Sequence, residues 1–427
     1  MRRFRFTDPN FETAFNAFVD ERRETPEEVD SAVRDVIAAV RAEGMDALLR
    51  FGKQFDKVDL TAETIRVTAD EIEAGAEACP AEVREAIAFA AGRIRAYHLR
   101  QRPADQRFVD DAGVELGWRW TPLESVGVYV PGGRAAYPST VLMNAVPAAA
   151  AGVERIAMVT PPGRLQPAVL AAAKEAGITE IWRVGGAQAV AALAYGAGAI
   201  QPVDKIVGPG NAYVTAAKRR VYGAVGIDAL AGPSEIVVVA DCANNPEWIA
   251  ADLLSQAEHD PAAQSILITD DEAFAGAVEQ ALIRQLTTLT TGQDAEASWR
   301  SHGAIVIAPL DESPRLVDRI APEHVEFALD DPERLADRVR HAGAIFLGRL
   351  APEAVGDYVA GSNHVLPTSR AARFSSGLSL YDFIKRTSLV KCDQAAFDAL
   401  GPATVTLAEA EGLPAHARSA AIRLGRG

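Results

Sequence analysis

The sequence predicts an α/β protein with two Rossmann-like parallel-sheet domains and small helical N- and C-terminal extensions. Short β-branched runs alternate with Ala-rich helical stretches, and this alternation occurs twice, at about 120–240 and about 240–375. The chain has 427 residues, of which 48% are hydrophobic, so it is long enough for two or three domains that each bury a core. Nearly continuous apolar strands that alternate with helices favour parallel sheets covered on both faces.

The composition excludes several classes of protein. The net charge is −15, and the chain lacks the clustered Lys and Arg that a nucleic-acid partner requires. The three cysteines lie too far apart for a CxxC metal site, and their odd number does not suit a secreted disulfide framework. No apolar h-region follows the basic first residues, and the most apolar stretch, 141–153, is too short to span a bilayer. We therefore expect a soluble, cytoplasmic protein without nucleic-acid or membrane partners.

The N-terminal part of the chain is predicted to be an arm followed by helices. Residues 1–24 show no obvious core of their own and are interpreted as an N-terminal arm. Thr25-Pro26-Glu27-Glu28 has the pattern of a capping box, and aliphatic residues recur after it at helical spacing. A second capping box, Thr68 to Glu71, begins the next helix, and Pro80 begins a longer one. We interpret 25–119 as a helical segment that packs with the second α/β unit.

The two α/β domains are assigned to 120–238 and 239–381, and a C-terminal helical segment to 382–427. Gly401-Pro402 is predicted to start a helix that Gly412 ends, and Pro414 to start another. The predicted strands are 126–130, 155–160, 180–184, 205–207, 235–240, 265–269, 304–308 and 344–347. Helices are predicted near 165–176, 187–195 and 212–221.

Three glycine-rich segments follow predicted strands and are candidates for binding a phosphate-bearing cofactor. They are Val184-Gly185-Gly186-Ala187-Gln188, Val207-Gly208-Pro209-Gly210-Asn211 and Tyr129-Val130-Pro131-Gly132-Gly133-Arg134. Glycine lets the backbone approach a ligand closely, and N–H groups at the start of the following helix can bind a phosphate. Neither of the first two matches GxGxxG, so the ordinary dinucleotide fingerprint is absent. Tight turns need glycine in any case, and a helix N-cap alone would explain Asn211.

Gln256 and His259 form the first of several polar groups near helix ends. They lie three residues apart on a helix that begins at Asn245-Pro246-Glu247 and must stop at Pro261. Gln256 falls close to the inward-facing stripe of this helix and His259 lies on its margin, so both side chains need polar partners. The alternative readings are a core Gln with satisfied hydrogen bonds and a His favoured by the helix C-terminus.

Three further groups favour a functional site. Glu323 and His324 place a carboxylate beside an imidazole, and Asp357 lies with His364 in one glycine-rich region. The third group is at a junction between two helices and contains Glu411 and His416. Imidazole, carboxylate and amide ligands without a thiolate suit a catalytic Zn²⁺ or Mn²⁺ site rather than a structural zinc. Three histidines are assigned no role, because they lie where solvated or helix-end histidines usually lie: His98, His302 and His341.

Nine strings spread in order along the chain resemble the histidinol dehydrogenase family. They are VGVYVPGG (126–133), STVLMNAVPA (139–148), VGGAQAVAALAYG (184–196), VDKIVGPGNAYV (203–214), AGPSEI (231–236), LLSQAEHD (253–260), APEHVE (321–326), GDYVAGSNHVLPT (356–368) and EGLPAH (411–416). The resemblance extends from about residue 25 to 420. On these strings the chain is identified as a member of that family.

The resemblance implies oxidation of L-histidinol to L-histidine through the aldehyde, the last step of histidine biosynthesis, with two NAD⁺ and one Zn²⁺ per site. The implied metal ligands are Gln256, His259, Asp357 and His416, and the implied catalytic bases are Glu323 and His324. The implied substrate contacts are Ser234, Gln256, His259, His324, Asp357, His364, Glu411 and His416. The implied NAD contacts are Tyr129, Gln188 and Asn211.

The resemblance also implies a homodimer with shared sites. In this family the C-terminal segment is contributed across the dimer interface, so His416, and with it Glu411, would serve the neighbouring subunit's site. A zinc ion that accepts the amine and imidazole nitrogens of histidinol would act mainly as a template. We expect His324 to remove the hydroxyl proton in the first oxidation and to act again in the second. Between them, Glu323 would activate the water that hydrates the aldehyde.

Three alternatives stay open from the sequence. A related zinc- and NAD-dependent dehydrogenase on the same scaffold could act on another small amino- or sulfo-alcohol, although Glu411, His364 and Ser234 favour histidinol. A metal-dependent hydrolase would leave the glycine-rich segments without a purpose. A non-catalytic binding protein would not need Glu323 and His324 side by side near a metal site.

Overall fold

The computed structural model describes residues 1–21, 27–132, 137–163 and 165–425. The strands are β1 (Arg2–Arg5), β2 (Arg66–Val67), β3 (Gln106–Val109), β4 (Glu115–Pro122), β5 (Ser125–Tyr129), β6 (Arg155–Thr160), β7 (Glu180–Arg183), β8 (Lys205–Val207), β9 (Gly226–Ile227), β10 (Glu235–Ala240), β11 (Gln264–Thr269), β12 (Ala304–Ile307), β13 (His324–Ala328), β14 (Ala344–Leu347) and β15 (Ile384–Lys391). They form two six-stranded sheets and one three-stranded sheet.

Helices cover both faces of the two large sheets, so the predicted α/β fold class is confirmed. The α-helices are α1 (Phe11–Val19), α2 (Glu27–Glu43), α3 (Met45–Phe51), α4 (Ala69–Ala78), α5 (Ala81–Leu99), α6 (Pro138–Ala151), α7 (Pro167–Glu175), α8 (Gly186–Tyr195), α9 (Ala212–Val221), α10 (Pro246–Ala257), α11 (Glu272–Leu286), α12 (Gly292–His302), α13 (Ser313–Ile320), α14 (Glu333–Ala336), α15 (Glu353–Tyr358), α16 (Gln394–Ala410) and α17 (Pro414–Arg423). Within the described ranges, none of these helices is long and apolar enough to cross a membrane.

The first sheet has the strand order β2-β7-β6-β5-β8-β9 and is parallel except for the antiparallel pair β2 and β7. Val126 and Val128 face a layer that contains α4 to α7, whereas Ala157 and Val159 face α2, α3, α8 and α9. Both faces are buried, which is why these strands are apolar throughout. The described parts of the three glycine-rich segments follow β5, β7 and β8 at the carboxyl edge of this sheet, and Gly133 and Arg134 lie outside the described residues.

The second sheet has the order β1-β12-β11-β10-β13-β14 and is parallel throughout. One face packs against α1, α13 and α14, and the other against α10, α11 and α12. Strands β10 and β13 pair with Ile236 opposite His324. The two strands therefore begin side by side, at the amino edge of the sheet.

The N-terminal residues differ from the predicted arm. Strand β1 extends the edge of the second sheet by pairing with β12. Phe11, Phe15 and Phe18 of α1 are buried in one cluster with Phe4. Phenylalanines at positions i, i+4 and i+7 share one face of a helix, so this short segment has enough apolar surface to pack on the sheet.

The helical segment packs on the first sheet, so the prediction that 25–119 packs with the second unit is wrong. Helix α2 contacts α8 and α9, α4 contacts α7, and α5 contacts α6. An amphipathic pattern shows which face of a helix is buried, but not which sheet covers it. The capping box from Thr68 to Glu71 is confirmed at the start of α4. The predicted cap at Thr25 and Pro26 lies outside the described residues.

The C-terminal segment begins with a strand that the sequence analysis did not predict. Strand β15 pairs with β4, and β4 with β3, in an antiparallel sheet that leads into α16 and α17. Helix α16 is capped by Asp393, so the predicted start at Gly401-Pro402 is wrong. A capped N-terminus two turns earlier outweighs the one hydrogen bond lost at Pro402. The end near Gly412 and the new start at Pro414 are confirmed.

Candidate active site

Two of the predicted site residues lie where the second sheet begins. Helix α13 ends at Ile320, and Ala321 takes a left-handed conformation, with φ of 50°, that turns the chain towards β13. Glu323 and His324 follow and are 6% and 3% exposed. Both side chains face the start of β10, where Glu235 bonds to each of them through its backbone.

The His324 imidazole is held in one tautomer. Its Nδ1 lies 3.1 Å from the carbonyl oxygen of Glu235, and a carbonyl oxygen can only accept, so Nδ1 carries the hydrogen. Nε2 is left with its lone pair, is buried, and has no hydrogen-bond partner among the described residues. It lies 3.8 Å from Oδ1 of Asp357. Burial lowers the pKa of this ring to about 3, which keeps it neutral.

The Glu323 carboxylate is fixed from the same strand. Its Oε2 accepts a hydrogen bond from the backbone N–H of Glu235 at 3.1 Å and lies 3.7 Å from Nδ1 of His324. Burial raises the pKa of Glu323 well above its usual range, and the nearby charges of Glu235 and Asp357 raise it further. A carboxyl group with a raised pKa can exchange a proton near neutral pH.

Helix α15 brings two further carboxylates to His324. Oε1 of Glu353 lies 3.6 Å from Nδ1 of His324, is buried and lacks a hydrogen-bond partner among the described residues. Burial raises the pKa of Asp357 to about 7. One ligand atom each from His324, Glu353 and Asp357 can lie within 4.8 Å of the others, a spacing that suits a metal ion. The sequence analysis missed Glu353.

Among the predicted metal ligands, Gln256 shows the clearest fit to a bound cation. Its side chain is fully buried near the end of α10, and neither its amide oxygen nor its amide nitrogen has a hydrogen-bond partner in the described structure. Buried polar atoms without partners are costly, so an amide oxygen left in this state suits coordination of a cation. Together with the imidazole and carboxylate groups of the other predicted ligands, and without a thiolate, this amide makes a donor set that fits Zn²⁺ or Mn²⁺.

His259 lies just beyond the end of α10 and is exposed in the single chain. The surrounding protein still lowers the pKa of its imidazole. A positive charge on His259 contributes to the lowered pKa values of His324 and His364. His259 lies three residues after Gln256, so the end of α10 carries both predicted ligands.

His364 and Ser234 border this group. Nδ1 of His364 donates to the backbone carbonyl of Asp357 at 3.0 Å, and burial lowers the pKa of the His364 ring to about 4. Ser234 is half-buried and directly precedes β10, and its carbonyl accepts from the backbone N–H of Gln264. A backbone carbonyl thus holds the His364 ring, and a backbone hydrogen bond holds the main chain of Ser234.

Glu411 and His416 are not brought to the site within one chain. Glu411 ends α16 and His416 lies in the first turn of α17, and both are exposed. These two helices pack chiefly against each other. No contact recorded for the described residues joins either side chain to His324 or Asp357.

Tyr129 links two of the glycine-rich segments. Its hydroxyl accepts a hydrogen bond from the backbone N–H of Gly186 at 3.0 Å. Gly208 has φ of +111°, and a Cβ atom there would lie 2.2 Å from the Tyr129 carbonyl oxygen, so only glycine fits. A buried ion pair between Lys218 and Asp228 also holds this turn, because both side chains bond to the backbone of Gly208.

The other two predicted cofactor contacts have different surroundings. Gln188 is buried in the first turn of α8 beside Gly186. Asn211 is exposed and caps α9 by accepting from the N–H groups of Tyr213 and Val214. Helix α8 has no side-chain cap at its start. An uncapped helix N-terminus after a glycine-rich turn suits a pyrophosphate group.

The chain between the two sheets connects the glycine-rich segments with the site. The hydroxyl of Thr215 in α9 donates to the carbonyl of Ala231, and the N–H of Gly232 donates to the hydroxyl of Thr368 at 2.6 Å. Three residues later β10 begins at Glu235. Ala231 and Gly232 therefore contact both α9, which follows a glycine-rich segment, and the loop that follows His364.

His98 lies in the last turn of α5, as expected of a helix-end histidine, but its side chain is fully buried and not solvated. Its Nδ1 lies 2.9 Å from Oε1 of Gln101, and the amide of Asn363, next to His364, lies 3.5 Å from its Nε2. Asn363 also donates to the carbonyl of Met143 at 2.6 Å. His98 thus supports the loop that contains His364. This role could not be predicted from the sequence, because it depends on tertiary contacts.

Comparisons with known proteins agree over the whole chain. The family model described as histidinol dehydrogenase matches residues 19–424. Histidinol dehydrogenase of Caulobacter vibrioides is 81% identical over 427 residues, 100% of both chains, and that of Mesorhizobium japonicum is 60% identical over 423 residues, 98% of both. The crystal structure of histidinol dehydrogenase from Elizabethkingia anophelis matches with a TM-score of 0.94 and 37% identity, over 100% of this chain and 98% of the other.

Proposed function

The chain belongs to the histidinol dehydrogenase family, and from this premise we propose that it oxidises L-histidinol to L-histidine through L-histidinal with two NAD⁺ and one Zn²⁺ per site. Membership makes it an oxidoreductase that acts on histidinol in histidine biosynthesis. A biosynthetic role of this kind accords with a cytoplasmic location. The reaction removes two hydrides in succession from one carbon atom, so the site must accept a proton in each oxidation.

The observation that carries the proposal is the free Nε2 atom of His324. The neutral ring accepts the hydroxyl proton of histidinol at Nε2 while the carbinol hydrogen leaves as hydride to the nicotinamide, and the alcohol becomes an aldehyde. A positioned base of this kind contributes about 10²–10⁴ in rate. After the ring has lost that proton, the same atom serves the second oxidation.

Glu323 is the proposed base for the step between the two oxidations. It takes one proton from water as the water oxygen adds to the aldehyde carbon, and the protonated His324 ring returns its proton to the aldehyde oxygen, which gives the hydrate that the second NAD⁺ oxidises. Support comes from its burial, its fixed bond to the Glu235 backbone and its raised pKa. The two neighbouring residues thus act on different protons.

Gln256, His259 and Asp357, with His416 of a second subunit, are the proposed zinc ligands. The buried, unpartnered amide of Gln256 is the support within this chain. When bound, the cation supplies a fixed point for the amine and imidazole nitrogens of histidinol and so orients the carbinol carbon. Ser234, His364 and Glu411 are the further proposed substrate contacts.

NAD⁺ is proposed to bind at the carboxyl edge of the first sheet, with contacts from Tyr129, Gln188 and Asn211. The uncapped start of α8 is suited to the pyrophosphate. A homodimer with shared sites is proposed because His416 and Glu411 are exposed on helices that pack chiefly against each other. Such helices have apolar surface available for a second copy, including exposed Leu407 and Ile422.

The test is to count NADH formed from L-histidinol by the purified protein. We expect two NADH per L-histidine, loss of activity after treatment with a chelator, and recovery when Zn²⁺ is added. Product formed without NAD⁺ would support the hydrolase alternative instead. Other small amino- and sulfo-alcohols are assayed in parallel, and a higher kcat/KM for one of them than for histidinol would contradict the substrate assignment.

A further inference from the structure

Helix α15 contains two carboxylates that face His324. Glu353 and Asp357 lie four residues apart, so their side chains share one face of this short helix. Oε1 of Glu353 lies 3.6 Å from Nδ1 of His324, and Oδ1 of Asp357 lies 3.8 Å from Nε2 of the same ring. A small shift or rotation of α15 would therefore change the surroundings of both ring nitrogens.

The start of α15 takes its hydrogen-bond acceptor from the second sheet. The residue at its N-cap position is Pro352, and no side chain of the helix's own segment caps it. The first N–H groups of a helix need acceptors from outside the helix. The N–H of Glu353 donates to Oε1 of Glu326 on β13 at 2.5 Å. This bond joins α15 to the strand that contains His324.

Glu326 and His324 lie on the same face of β13, because side chains two residues apart in a strand point the same way. Phe346 on β14 is in register with Glu326 and shares this face. The Phe346 ring lies 6.1 Å from the His324 ring, and a Cβ atom at Gly356 would lie 2.3 Å from a carbon of the Phe346 ring. Helix α15 therefore packs closely on this face at Gly356, directly before Asp357.

The Glu326 carboxyl group also reaches α10. It is 3% exposed and is hydrogen-bonded to the carboxyl group of Asp252. Burial raises the pKa of Glu326 well above its usual range, and the charge of Asp252 raises it further. Burial raises the pKa of Asp252 only to about 6, because the bond from Glu326 opposes the rise. Glu326 thus holds the proton, and a protonated carboxyl group can donate to Asp252 while it accepts from Glu353.

We propose that Glu326 is a positioning residue for the reaction, which holds α15 against β13 and thereby sets the place of Asp357 relative to His324. The elements that meet at Glu326 are α10, β13 and α15, which contain Gln256, His324 and Asp357. Glu326 acts through the backbone of α15 and transfers no proton. Its effect on the reaction rests on the proposed function, whereas its effect on α15 is a property of the fold.

Two variants separate positioning from proton transfer. Glu326→Gln keeps the length of the side chain, an oxygen that accepts from Glu353 and a donor for Asp252, so it should behave as wild type. Glu326→Asp keeps the carboxyl group but withdraws it by one methylene from the N–H of Glu353. For Glu326→Asp we expect kcat to fall about 10- to 100-fold, because a small misplacement of reacting groups has effects of this size.

Binding of Zn²⁺ to the metal-free protein is the second measurement. Competition with a chromophoric chelator gives the Kd, which should rise about 10-fold or more in Glu326→Asp, as is typical when a residue that supports a ligand is changed. The Kd should stay at its wild-type value in Glu326→Gln.

Hydrogen exchange of the metal-free, full-length proteins measures the placement of α15 without any ligand. Mass spectrometry of peptides that cover 353–358 should show amide exchange about 10-fold or more faster in Glu326→Asp, and at the wild-type rate in Glu326→Gln. The melting temperature of each variant shows that it is folded.

Asp271→Ala is the matched control. The Asp271 carboxylate also accepts from an N–H at a helix start, that of Phe274 at 2.7 Å, but none of the predicted site residues lies in this helix, α11. The variant should lower the melting temperature and leave kcat, the Kd for Zn²⁺ and the exchange of α15 unchanged.

The two Glu326 variants decide the outcome. A defective Glu326→Gln beside an active Glu326→Asp would overturn the proposal, because the carboxyl group itself would then be required. Equal losses in both variants, or wild-type exchange of α15 in both, would overturn it as well. A wild-type protein that binds no Zn²⁺ or does not oxidise histidinol would contradict the proposed function instead, and the exchange of α15 would still test the role of Glu326.

Discussion

Glu323 and His324 are neighbours in the chain, yet they differ in their hydrogen bonds and in the direction of their pKa shifts. The Glu323 carboxylate accepts the N–H of Glu235, whereas the His324 ring donates to the carbonyl of the same residue. Burial raises the pKa of the carboxyl group and lowers that of the imidazole. Two groups whose proton affinities are moved in opposite directions are suited to separate proton transfers.

Replacement of Glu323 by Gln should slow aldehyde oxidation far more than alcohol oxidation. The amide keeps the size of the side chain but cannot take a proton from water, so we expect a loss of about 10²–10⁴ in the second oxidation only. The measurement compares NADH formation from L-histidinol in the first turnover with NADH formation from added L-histidinal. Equal losses in both half-reactions would contradict the assigned roles.

Replacement of His259 by Ala should release the metal. The variant removes one exposed proposed ligand and leaves the buried Gln256 in place, so we expect affinity for Zn²⁺ to fall by about 10-fold or more. Metal content after dialysis, determined by mass spectrometry, is the readout. His341→Ala, a residue without an assigned role, should keep its metal; stoichiometric zinc in His259→Ala would refute the ligand assignment.

His98 should make stability depend on pH. Burial lowers its pKa in the folded protein, so the unfolded chain binds a proton more readily below pH ~6.5. The contribution of His98 to the free energy of unfolding should be constant above pH ~6.5. At lower pH this contribution should decrease by up to ~1.4 kcal/mol per pH unit, until the pH reaches the folded-state pKa. Urea denaturation of wild type and His98→Gln at pH 7.5 and 5.5 measures the difference. An identical pH dependence in both proteins would contradict this role.

For single residues, the sequence shows which side chains could be reactive more readily than it shows which of them are buried. Adjacent carboxylate and imidazole groups at 323 and 324 are visible in the letters, and so is the pair at 256 and 259. Glu353 is not, because an acidic residue after Pro352 is an ordinary helix start. Its burial depends on contacts with Glu326 and Ser255, which come from other elements.

Strand β13 was not predicted, because polar residues interrupt its apolar sequence. It is fully buried between β10 and β14, but it contains His324 and Glu326 and was not among the predicted strands. Strands β6 and β14 have no such polar interruptions, and their predicted bounds are confirmed. Polar residues within a strand break the apolar pattern on which strand prediction depends.

The turn after β8 should tolerate no side chain at Gly208. Gly208→Ala would add both the strain of a positive φ and a clash with the Tyr129 carbonyl oxygen. Gly223→Ala is the matched control, since φ there is +101° but no atom lies within 4 Å of the added Cβ. We expect the control to lose about 1–2 kcal/mol of unfolding free energy and Gly208→Ala to lose at least ~2 kcal/mol more. Urea denaturation checks this, and equal losses would show that the close approach is absent.

Over the whole molecule, the sequence predicts the class of fold but not how its parts are assembled. The alternation of strands and helices is sufficient for two parallel sheets. It does not show that α1 and β1 complete the second sheet or that α2 to α5 cover the first, because apolar faces are alike in composition. The antiparallel sheet of β3, β4 and β15 joins segments far apart in the chain, and such pairings leave no local signal.

Subunit mixing tests whether two chains complete each site. His416→Ala and His324→Ala proteins should each be inactive alone. In a mixed dimer, the His416→Ala chain keeps its own His324 and receives an intact C-terminal segment, so one of two sites works. Random reassociation of equal amounts should restore about one quarter of the wild-type activity. No recovery in mixed dimers verified by mass spectrometry would show that the sites are not shared.

The backbone of Glu235 holds Glu323 through its amide and His324 through its carbonyl. These two anchoring atoms are common to nineteen of the twenty genetically encoded amino acids, since proline alone lacks the amide hydrogen. A substitution other than proline at 235 would therefore leave both anchors in place and remove only side-chain contacts, such as the hydrogen bond that Oε1 of Glu235 accepts from the N–H of Ser369. A proline at this position, in contrast, would remove the hydrogen bond that holds Glu323.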